Sequence, residues 1–307
     1  MAPSTASDEQ LALDAMPKRL YAVTPTKLAN WSDCPRKFRF TYLERRPRTG
    51  AWGHNTVGAV VHAALKQWWD LPPAQRTGEA GTTLVIRGWV NEGFRDDAQS
   101  LDWRGRAAAM TSRYLASVDP QRQPIGIERT VAAPIGPMAL SGRVDRIDER
   151  PKVDGVDNAN EVVIVDYKTG RTPLTDDDAR TSQALALYAV AARRTLRREC
   201  KRVELHHLPT AHVAAWDHTD ESLQRQIVRA ENVTVDAAHA DELWKAGLDT
   251  VALRAGESDA GVNDDVEVDA VLPPRPGNQC GWCDFRQWCK VGRDAAPAKQ
   301  RWAGLAD

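Results

Sequence analysis

Hydrophobic residues in the first third of the chain recur at helical spacing. A helix is expected to start at Thr24-Pro25 and to break at Cys34-Pro35, where a second helix begins. Residues 58–69 carry one apolar face of an amphipathic helix, and further helix is expected over 84–118. The apolar residues of that face are Val61, Leu65, Trp68 and Trp69. The pattern therefore predicts a helical part over residues 24–123.

After Pro124 the spacing changes to that of strands. Strands are predicted over 127–133, 138–148, 161–168, 202–208 and 212–216. The third is apolar at four successive positions, as expected of a central strand that is covered on both faces. A helix over 178–199 separates the two groups of strands, and a long helix over 219–254 follows. This order predicts an α/β fold with a mixed central β-sheet, whose core spans residues 124–216.

The composition describes a soluble globular protein. Of the 307 residues, 42% are hydrophobic, and 41 basic residues nearly balance 42 acidic ones. No apolar run is long enough to cross a membrane, and the first residues lack the basic-then-apolar order of a secretory signal. We therefore expect a cytoplasmic protein without membrane contact. One domain is expected over 21–290, between a flexible tail at 1–20 and a C-terminal tail at 291–307.

Charge is unevenly distributed along the chain. Six basic residues lie within 36–48 and six more within 193–202, whereas six acidic residues and no basic ones lie within 257–269. A run of like charges is most often a solvated face, so these patches alone do not define a function.

Two carboxylates and an amine are predicted to converge at one end of the sheet. Asp166 and Lys168 lie two residues apart on a strand, so their side chains share one face while that of Tyr167 points to the other. Asp145 is expected at the end of the neighbouring strand. Carboxylate oxygens suit Mg²⁺ or Mn²⁺, and a lysine beside them can orient an attacking water. The set is therefore suited to phosphodiester hydrolysis.

An exposed ion pair is the simpler interpretation of Asp166 and Lys168. The four apolar residues before Asp166 favour a metal site, because a charge at the end of a buried strand is costly unless something compensates it. His62, on the helix over 58–69, is a further candidate ligand. A lone helical histidine is nevertheless more often an ordinary core or surface residue.

Three of the five cysteines lie close together near the end of the chain. The spacing Cys280-x2-Cys283-x5-Cys289 supplies three soft ligands, and Cys34 is the candidate for the fourth. Four thiolates hold either a zinc ion or an iron–sulfur cluster, and spacing does not choose between them. A loop of free thiols is the alternative. Ligation with Cys34 would join the start of the chain to the segment at 273–290.

The order of these motifs resembles the RecB-like branch of the PD-(D/E)XK nuclease superfamily. The motifs extend over about residues 24–290, and one upstream cysteine with three downstream is similar to the iron–sulfur members of that branch. Those members are the AddB-type nuclease domains and the CRISPR-associated RecB-like exonucleases. The matching motifs are Gly58-x3-His62, Gly142-x2-Asp145, Asp166-Tyr167-Lys168-Thr169-Gly170 and Gln183 to Tyr188. The resemblance implies a restriction-endonuclease-like fold, with helical N-terminal additions and a C-terminal iron–sulfur segment.

Carried to the matching positions, the resemblance implies a catalytic centre and a cluster. Lys168 would be the catalytic lysine. The ligands of a Mg²⁺ or Mn²⁺ ion would be His62, Asp145, Asp166 and the backbone carbonyl of Tyr167. The ligands of a four-iron four-sulfur cluster would be Cys34, Cys280, Cys283 and Cys289. Structural Zn²⁺ is the alternative for these four thiols.

The same resemblance implies residues that contact DNA. Gln183 and Tyr188 would belong to the helical motif that approaches the strand, although they are five residues apart where the family usually has four. The basic residues after the first cysteine would neutralise phosphates, and they are Arg36, Lys37 and Arg39. Aromatic residues between them, Trp31, Phe38 and Tyr42, could stack on unpaired bases, although a core role is the more common one.

A metal-dependent DNA nuclease that uses a metal-activated water is the resulting expectation. We expect an exonuclease that prefers single strands or free ends, in DNA repair, recombination, or phage or CRISPR DNA processing. The chain has no G-x4-G-K-[ST] phosphate loop, so a helicase or recombination partner would supply any unwinding. A DNA-binding accessory subunit with an idle active site is the alternative. The joint presence of His62, Asp145, Asp166 and Lys168 argues against it.

Overall fold

A computed structural model describes residues 19–150, 160–248 and 266–305. Its six strands are β1 Tyr21–Val23, β2 Gly126–Ile135, β3 Met138–Glu149, β4 Glu161–Lys168, β5 Glu199–His207 and β6 His212–Asp217. They form one mixed sheet in the order β1-β3-β4-β5-β6, and β2 also pairs with β3. The five strands predicted after Pro124 and the α/β fold class are confirmed. β1 was not predicted, because three residues are too few to show an alternating pattern.

The sheet forks along one edge of β3. β2 pairs with β3 over most of its length, and the opposite edge of β3 is shared by two strands. β1 runs parallel to residues 138–140, whereas β4 runs antiparallel to residues 146–149. In the described registers, residues 141–145 of β3 pair with neither of these two strands. β4 continues to Lys168 in parallel register with β5, so an open wedge lies between β3 and the end of β4.

Helices cover both faces of this sheet. The helices in the described ranges are α1 Pro25–Asp33, α2 Pro35–Phe38, α3 Gly53–Asp70, α4 Gly78–Arg87, α5 Asp97–Leu115, α6 Asp176–Thr181, α7 Gln183–Leu196, α8 Asp220–Leu243, α9 Val266–Val271 and α10 Lys290–Ala295. Short helical turns lie at Arg39–Leu43, Pro73–Gln75, Trp244–Leu248, Asn278–Trp282 and Arg286–Trp288. The predicted start at Thr24 is confirmed, because its side chain accepts a hydrogen bond of 3.0 Å from Lys27 N.

Two predicted helices are each divided in the structure. The helix expected over 84–118 is α4 followed by α5, because Asp96 starts a new helix by accepting a hydrogen bond of 2.8 Å from Gln99 N. The helix expected over 178–199 is α6 followed by α7. Ser182 separates them, since its extended backbone ends α6 and its hydroxyl caps α7. Polar caps inside a periodic pattern therefore set these boundaries.

Hydrophobic clusters lie on the two faces of β4. Val162 and Ile164 pack with α7 on one face, whereas Val163 and Val165 pack with α3 and α5 on the other. All four residues are 1% exposed or less. The prediction of a central strand covered on both faces is confirmed. The two faces also determine where polar side chains near the end of β4 point.

The two ends of the described chain meet in a third cluster. Trp31 and Phe38 pack against Val268 and Leu272. Residues 291–305, expected as a tail, lie against the body of the protein, and Arg301 O accepts a hydrogen bond of 3.1 Å from Gly53 N. The expected tail at 1–20 falls outside the described residues except for its last two positions, as do 249–254 of the predicted long helix and 257–265 of the acidic stretch. No helix in the described ranges is long and apolar enough to cross a membrane.

Candidate active site

The wedge between β3 and β4 brings two acidic side chains together. Arg146 and Val165 form the last pair between β3 and β4, and extending this register by one residue places Asp145 across from Asp166 where the strands diverge. Asp145 Oδ2 accepts a hydrogen bond of 2.8 Å from the backbone N–H of Tyr167. The sequence analysis expected Asp145 at the end of its strand. In the structure Asp145 lies within β3, because the strand continues to Glu149. The predicted juxtaposition of the two carboxylates is nevertheless present.

His62 reaches the same place from α3. Its Nδ1 lies 3.4 Å from Asp145 Oδ1, and its Nε2 lies 3.1 Å from the backbone carbonyl oxygen of Tyr167. Gly58, one turn earlier, brings the helix close to the turn after β4, since a Cβ there would lie 3.4 Å from Thr169 Oγ1. Burial opposes protonation of His62, but the hydrogen bond and charge of Asp145 outweigh it and raise its pKa. The imidazole therefore sits in a strongly negative environment.

Lys168 and Asp166 share one face of β4, as strand alternation predicts. Lys168 Nζ lies 2.6 Å from Asp166 Oδ2. Burial raises the pKa of Asp166, with Asp145 adding to the shift and Lys168 opposing it. β5 fixes the turn that follows, because Leu208 N donates a hydrogen bond of 2.9 Å to Lys168 O and His207 Nε2 donates one of 2.7 Å to Gly170 O. The main chain that follows β4 is thus fixed by the end of β5, while the amine itself pairs with Asp166.

Glu128 is a third carboxylate at the site, and the sequence analysis did not identify it. One ligand atom each from His62, Glu128 and Asp145 lie within 4.8 Å of one another, which makes the three a possible metal-binding group. Glu128 adopts a left-handed backbone with φ of 47°, between the pairs Ile127–Arg146 and Arg129–Val144 of the β2–β3 hairpin. Burial raises its pKa, and the charge of Asp145 adds to this. In a hairpin centred on the Gly136-Pro137 turn, residue 128 lies across from residue 145. This pairing is the sequence signal that could have identified Glu128.

A buried polar network supports the main chain of the site from the other face of β4. The Tyr167 hydroxyl accepts hydrogen bonds of 3.0 Å from Arg146 and 3.1 Å from Trp69 Nε1. Arg146 is 2% exposed and forms an ion pair of 3.0 Å with Asp148. Arg146 also donates a hydrogen bond of 3.1 Å to Tyr114. Tyr167 therefore presents its backbone to His62 and Asp145 while its side chain is anchored in the core.

The two residues predicted on the DNA-contacting helix, Tyr188 and Gln183, lie on different sides of α7. A Cβ on Gly142 would lie 2.3 Å from Tyr188 Cε1, so the absence of a side chain at 142 makes room for the Tyr188 ring beside β3. Burial raises the pKa of Tyr188, and the negative charges of Asp166 and Asp145 add to it. Gln183 is the first residue of α7. Five residues place it about 140° around the helix from Tyr188, so the two do not share a face.

The structure places two of the three predicted phosphate-binding residues in its interior. Arg36 is 5% exposed and forms an ion pair with Asp269, and Arg39 is 3% exposed and forms one of 2.8 Å with Glu44. These ion pairs engage both guanidinium groups, which corrects the expectation that they face DNA. Lys37 retains a partly exposed side chain. The three aromatic residues near these basic ones pack on one another. The ring centroid of Phe38 lies 5.1 Å from that of Trp31 and 5.0 Å from that of Tyr42.

Four of the six basic residues in the second basic stretch, within 193–202, are paired with acidic residues at the surface. Their side chains form ion pairs with acids of β3, β5, β6 and α8. The paired basic residues are Arg193, Arg198, Lys201 and Arg202. An ordinary solvated face is therefore the interpretation that fits this stretch.

The four predicted cluster cysteines line one cavity of about 630 Å³. Arg275 N donates to Cys34 Sγ at 3.4 Å, and Gly292 N donates to Cys289 Sγ at 3.3 Å. A Cβ on Gly292 would lie 3.3 Å from Cys289 Sγ and 3.6 Å from Cys280 Sγ, so this glycine makes room between the two thiols. Cys283 is close enough for the charges of Cys289 and Cys34 to raise its pKa, in addition to burial. Cys200 is fully buried in the sheet core and lies elsewhere.

Comparison with known proteins relates the chain to one protein family. The model of the PD-(D/E)XK nuclease superfamily matches residues 22–290. The crystal structure of SSO0001 aligns with 94% of this chain and 94% of that chain, at 11% sequence identity and a TM-score of 0.35. No curated protein sequence matches the chain.

Proposed function

The chain belongs to the PD-(D/E)XK nuclease superfamily of metal-dependent nucleases, and from this premise we propose that it is a deoxyribonuclease that degrades single-stranded DNA from free ends. The observation that carries the proposal is the convergence of His62, Asp145, Asp166 and Lys168 at the fork of the sheet. The end and strand preference is supported by the motif order shared with RecB-like exonucleases. We further propose a role in DNA repair, recombination or DNA processing in the cytoplasm, beside a separate helicase.

The chemistry of the donor set fits a hard divalent cation. Three carboxylates lie at the fork with one imidazole and one backbone carbonyl, and Glu128 joins the set that the sequence predicts. Two of these carboxylates, Glu128 and Asp166, have raised pKa values, because burial leaves their charge poorly solvated. Mg²⁺ and Mn²⁺ prefer oxygen ligands of this type. We assign His62, Glu128, Asp145, Asp166 and the carbonyl of Tyr167 as the residues that would hold the ion.

The protein residues divide the work of hydrolysis among them. A bound divalent ion would supply a Lewis acid that polarises the phosphate and acidifies an attacking water. Lys168, held by Asp166 at the mouth of the site, orients that water and offsets charge on the phosphate. Asp145 aligns the imidazole of His62 and, through the Tyr167 N–H, the end of β4. Tyr188 lies near Asp166 and Asp145, where its ring can contact the bound strand.

We propose that the four cysteines hold a four-iron four-sulfur cluster that ties α1 to the C-terminal segment. Tetrahedral zinc at about 2.3 Å from each sulfur would bring the sulfurs within about 4 Å of one another. Among the described residues, no three thiol sulfurs lie within 4.8 Å. The four cysteines instead line a wider cavity, and backbone N–H groups donate to two of the thiols. This spacing favours a cluster over a single ion.

A nuclease assay on defined substrates tests the proposed function. The full chain is incubated with end-labelled linear single strands, linear duplex and circular single strands, with Mg²⁺, Mn²⁺ or EDTA. We expect release of short products from linear single strands with either metal, slower loss of duplex, and no cleavage in EDTA.

Two outcomes would contradict this function. Rapid cleavage of circular strands would replace the exonuclease by an endonuclease. DNA binding without cleavage under any metal condition would support the idle accessory subunit instead.

A further inference from the structure

A second cavity, lined mainly by residues with polar groups, lies away from the fork and from the cysteines. It has a volume of about 310 Å³, at the lower end of the range of about 300 to 1,000 Å³ for small-molecule sites. Parts of α6, β6 and α8 form its walls. The lining includes Arg180, Trp216, His218, Arg225, Gln226 and Arg229. The last three, with Ser222, recur at helical spacing and so share one face of α8.

His218 brings a buried hydrogen-bond acceptor to this cavity. The residue is 3% exposed, and its Nδ1 lies 2.9 Å from Ser222 Oγ. That hydroxyl already donates to Thr219 O at 3.0 Å, so it accepts from His218 and the ring proton resides on Nδ1. Nε2 therefore carries the lone pair, and it has no hydrogen-bond partner among the described residues. Burial lowers the pKa of His218, which favours this neutral form.

Gln226 adds a second unpartnered polar atom. The residue is 8% exposed, and its buried Oε1 meets no donor within the described part of the chain. A buried polar group without a partner costs about 1–3 kcal/mol, so a native structure normally supplies one. Two unpartnered acceptors on residues that line one cavity call for a ligand that carries N–H or O–H donors. The phosphate group of a doubly ionised phosphate monoester has none, so a second part of the ligand must supply the donors.

The exposed rim of the cavity carries cationic hydrogen-bond donors, in contrast to the buried acceptors. Arg225 and Arg229 form no ion pair with a described residue, and Arg180 pairs with Asp177 at 2.5 Å. The Arg180 guanidinium carbon lies 5.8 Å from the centroid of the Trp216 ring. Trp216 is 37% exposed, which is high for a tryptophan. The rim therefore combines cationic groups that suit a phosphate with an aromatic surface on which a base can stack.

We propose that this cavity binds one nucleotide whose base carries an exocyclic amino group. The arginines hold its phosphate, Trp216 stacks on its base, and the amino group donates to His218 Nε2 and Gln226 Oε1. Adenine, cytosine and guanine nucleotides have such a group, whereas thymine does not. The inference goes beyond the nuclease function, because the site uses none of the residues at the fork.

The position of the cavity allows two sources for this nucleotide. Trp216 pairs with Val203, and Val203 pairs with Ile164, so Trp216 lies two strands away from β4. By strand alternation it shares the sheet face of Asp166 and Lys168. The nucleotide is therefore either a unit of the strand held at the fork or a free mononucleotide.

Binding measurements without a divalent ion test the site separately from cleavage. The full chain in EDTA is titrated by calorimetry with dAMP, dCMP, dTMP and inorganic phosphate. We expect dAMP and dCMP to bind at least threefold more tightly than dTMP, and phosphate to bind most weakly. Because no cleavage occurs in EDTA, loss of binding here and loss of nuclease activity are distinct results.

Variants assign the contacts to particular side chains. Trp216→Leu and the double change Arg225→Gln with Arg229→Gln should each weaken dAMP binding about tenfold. Gln226→Leu should reduce the preference for dAMP over dTMP. Arg106→Gln, at an exposed arginine that pairs with Asp102 on α5, is the matched control and should leave binding unchanged.

The source of the nucleotide follows from a competition experiment with a labelled adenine oligonucleotide. If the strand is the source, the double arginine variant weakens oligonucleotide binding and dAMP competes with it. If the free nucleotide is the source, dAMP binds without displacing the oligonucleotide. The proposal is overturned if neither probe binds in a way that depends on these arginines. It is also overturned if phosphate binds as tightly as dAMP and Trp216→Leu has no effect.

Discussion

The Arg146 guanidinium donates a hydrogen bond of 3.0 Å to the Tyr167 hydroxyl, on the sheet face opposite the catalytic acids. The backbone of the same tyrosine contacts both His62 and Asp145. One residue thus joins the buried polar core to the candidate metal site. Changes in that core are therefore expected to act on catalysis as well as on stability.

Tyr167→Phe should lower stability and reduce the cleavage rate modestly. Removal of the hydroxyl leaves the Trp69 N–H and one Arg146 N–H without their acceptor, at a cost of about 1–3 kcal/mol. Urea unfolding and initial cleavage rates measure the two effects. Tyr42→Phe, which removes a hydroxyl outside this network, is the control. Equal stability of the wild type and Tyr167→Phe would show that the network does not anchor the strand.

Asp166→Asn and Lys168→Met should each reduce cleavage about a thousandfold while the protein stays folded. The first change removes a carboxylate from the donor set, and the second removes the amine beside it. Single-turnover cleavage and circular dichroism check activity and folding. Lys245→Met, at a side chain that is 70% exposed, is the matched control. Undiminished digestion by either site variant would refute the assigned mechanism.

Glu128→Gln should weaken Mn²⁺ binding by about tenfold or more. The amide removes one negative charge from the group formed with His62 and Asp145. Titration of Mn²⁺ followed by electron paramagnetic resonance measures the affinity directly. Glu149→Gln, at a side chain that is 69% exposed, should bind Mn²⁺ as the wild type does. Identical affinities of the two variants would exclude Glu128 from the metal site.

Cys34→Ser should lose the visible absorbance and the iron of anaerobically purified protein. Cys200→Ala should keep both, because Cys200 is fully buried in the sheet core and burial raises its pKa to about 12. Iron and zinc analysis of both variants and the wild type provides the measurement. A colourless wild type with one equivalent of zinc would replace the cluster by a zinc site.

Glu204→Gln should flatten the dependence of stability on pH in acid. Although burial opposes ionisation, hydrogen bonds from His206 and Arg202 lower the pKa of Glu204 from 4.5 to about 2. The unfolded chain then binds more protons between these values, so stability is full above about pH 4.5 and is lost as pH falls toward 2. The charge contributes up to about 3 kcal/mol at neutral pH. Urea unfolding from pH 2.5 to 7 measures it, with Glu149→Gln as the exposed control.

Sequence patterns predicted the sheet because its strands are long and bounded by turns. They also placed Asp166 and Lys168 on one face, since strand alternation is a local property. The prediction failed where distant residues decide the environment. Arg36 was expected to face DNA, but it meets Asp269, which lies far along the chain and has no local signal.

Glu128 shows a different limit of the sequence. It is neither in a spaced motif nor beside another candidate ligand. It reaches the site because β2 folds back on β3 in a register that places residue 128 across from residue 145. Only the register of the β2–β3 hairpin assigns this carboxylate to the site.

The third hydrophobic cluster joins α1 and α2 to residues that follow α8 by a long stretch of chain. Trp31 and Phe38 pack against Val268 and Leu272, which the ribosome adds to the chain more than 220 residues later. The backbone N–H of Arg36 donates a hydrogen bond of 3.2 Å to the carbonyl oxygen of Pro273, so this bond also forms only after Pro273 has been synthesised. This cluster therefore forms only after Val268 and Leu272 have emerged from the ribosome, and until then a nascent chain leaves part of the Trp31 and Phe38 rings uncovered.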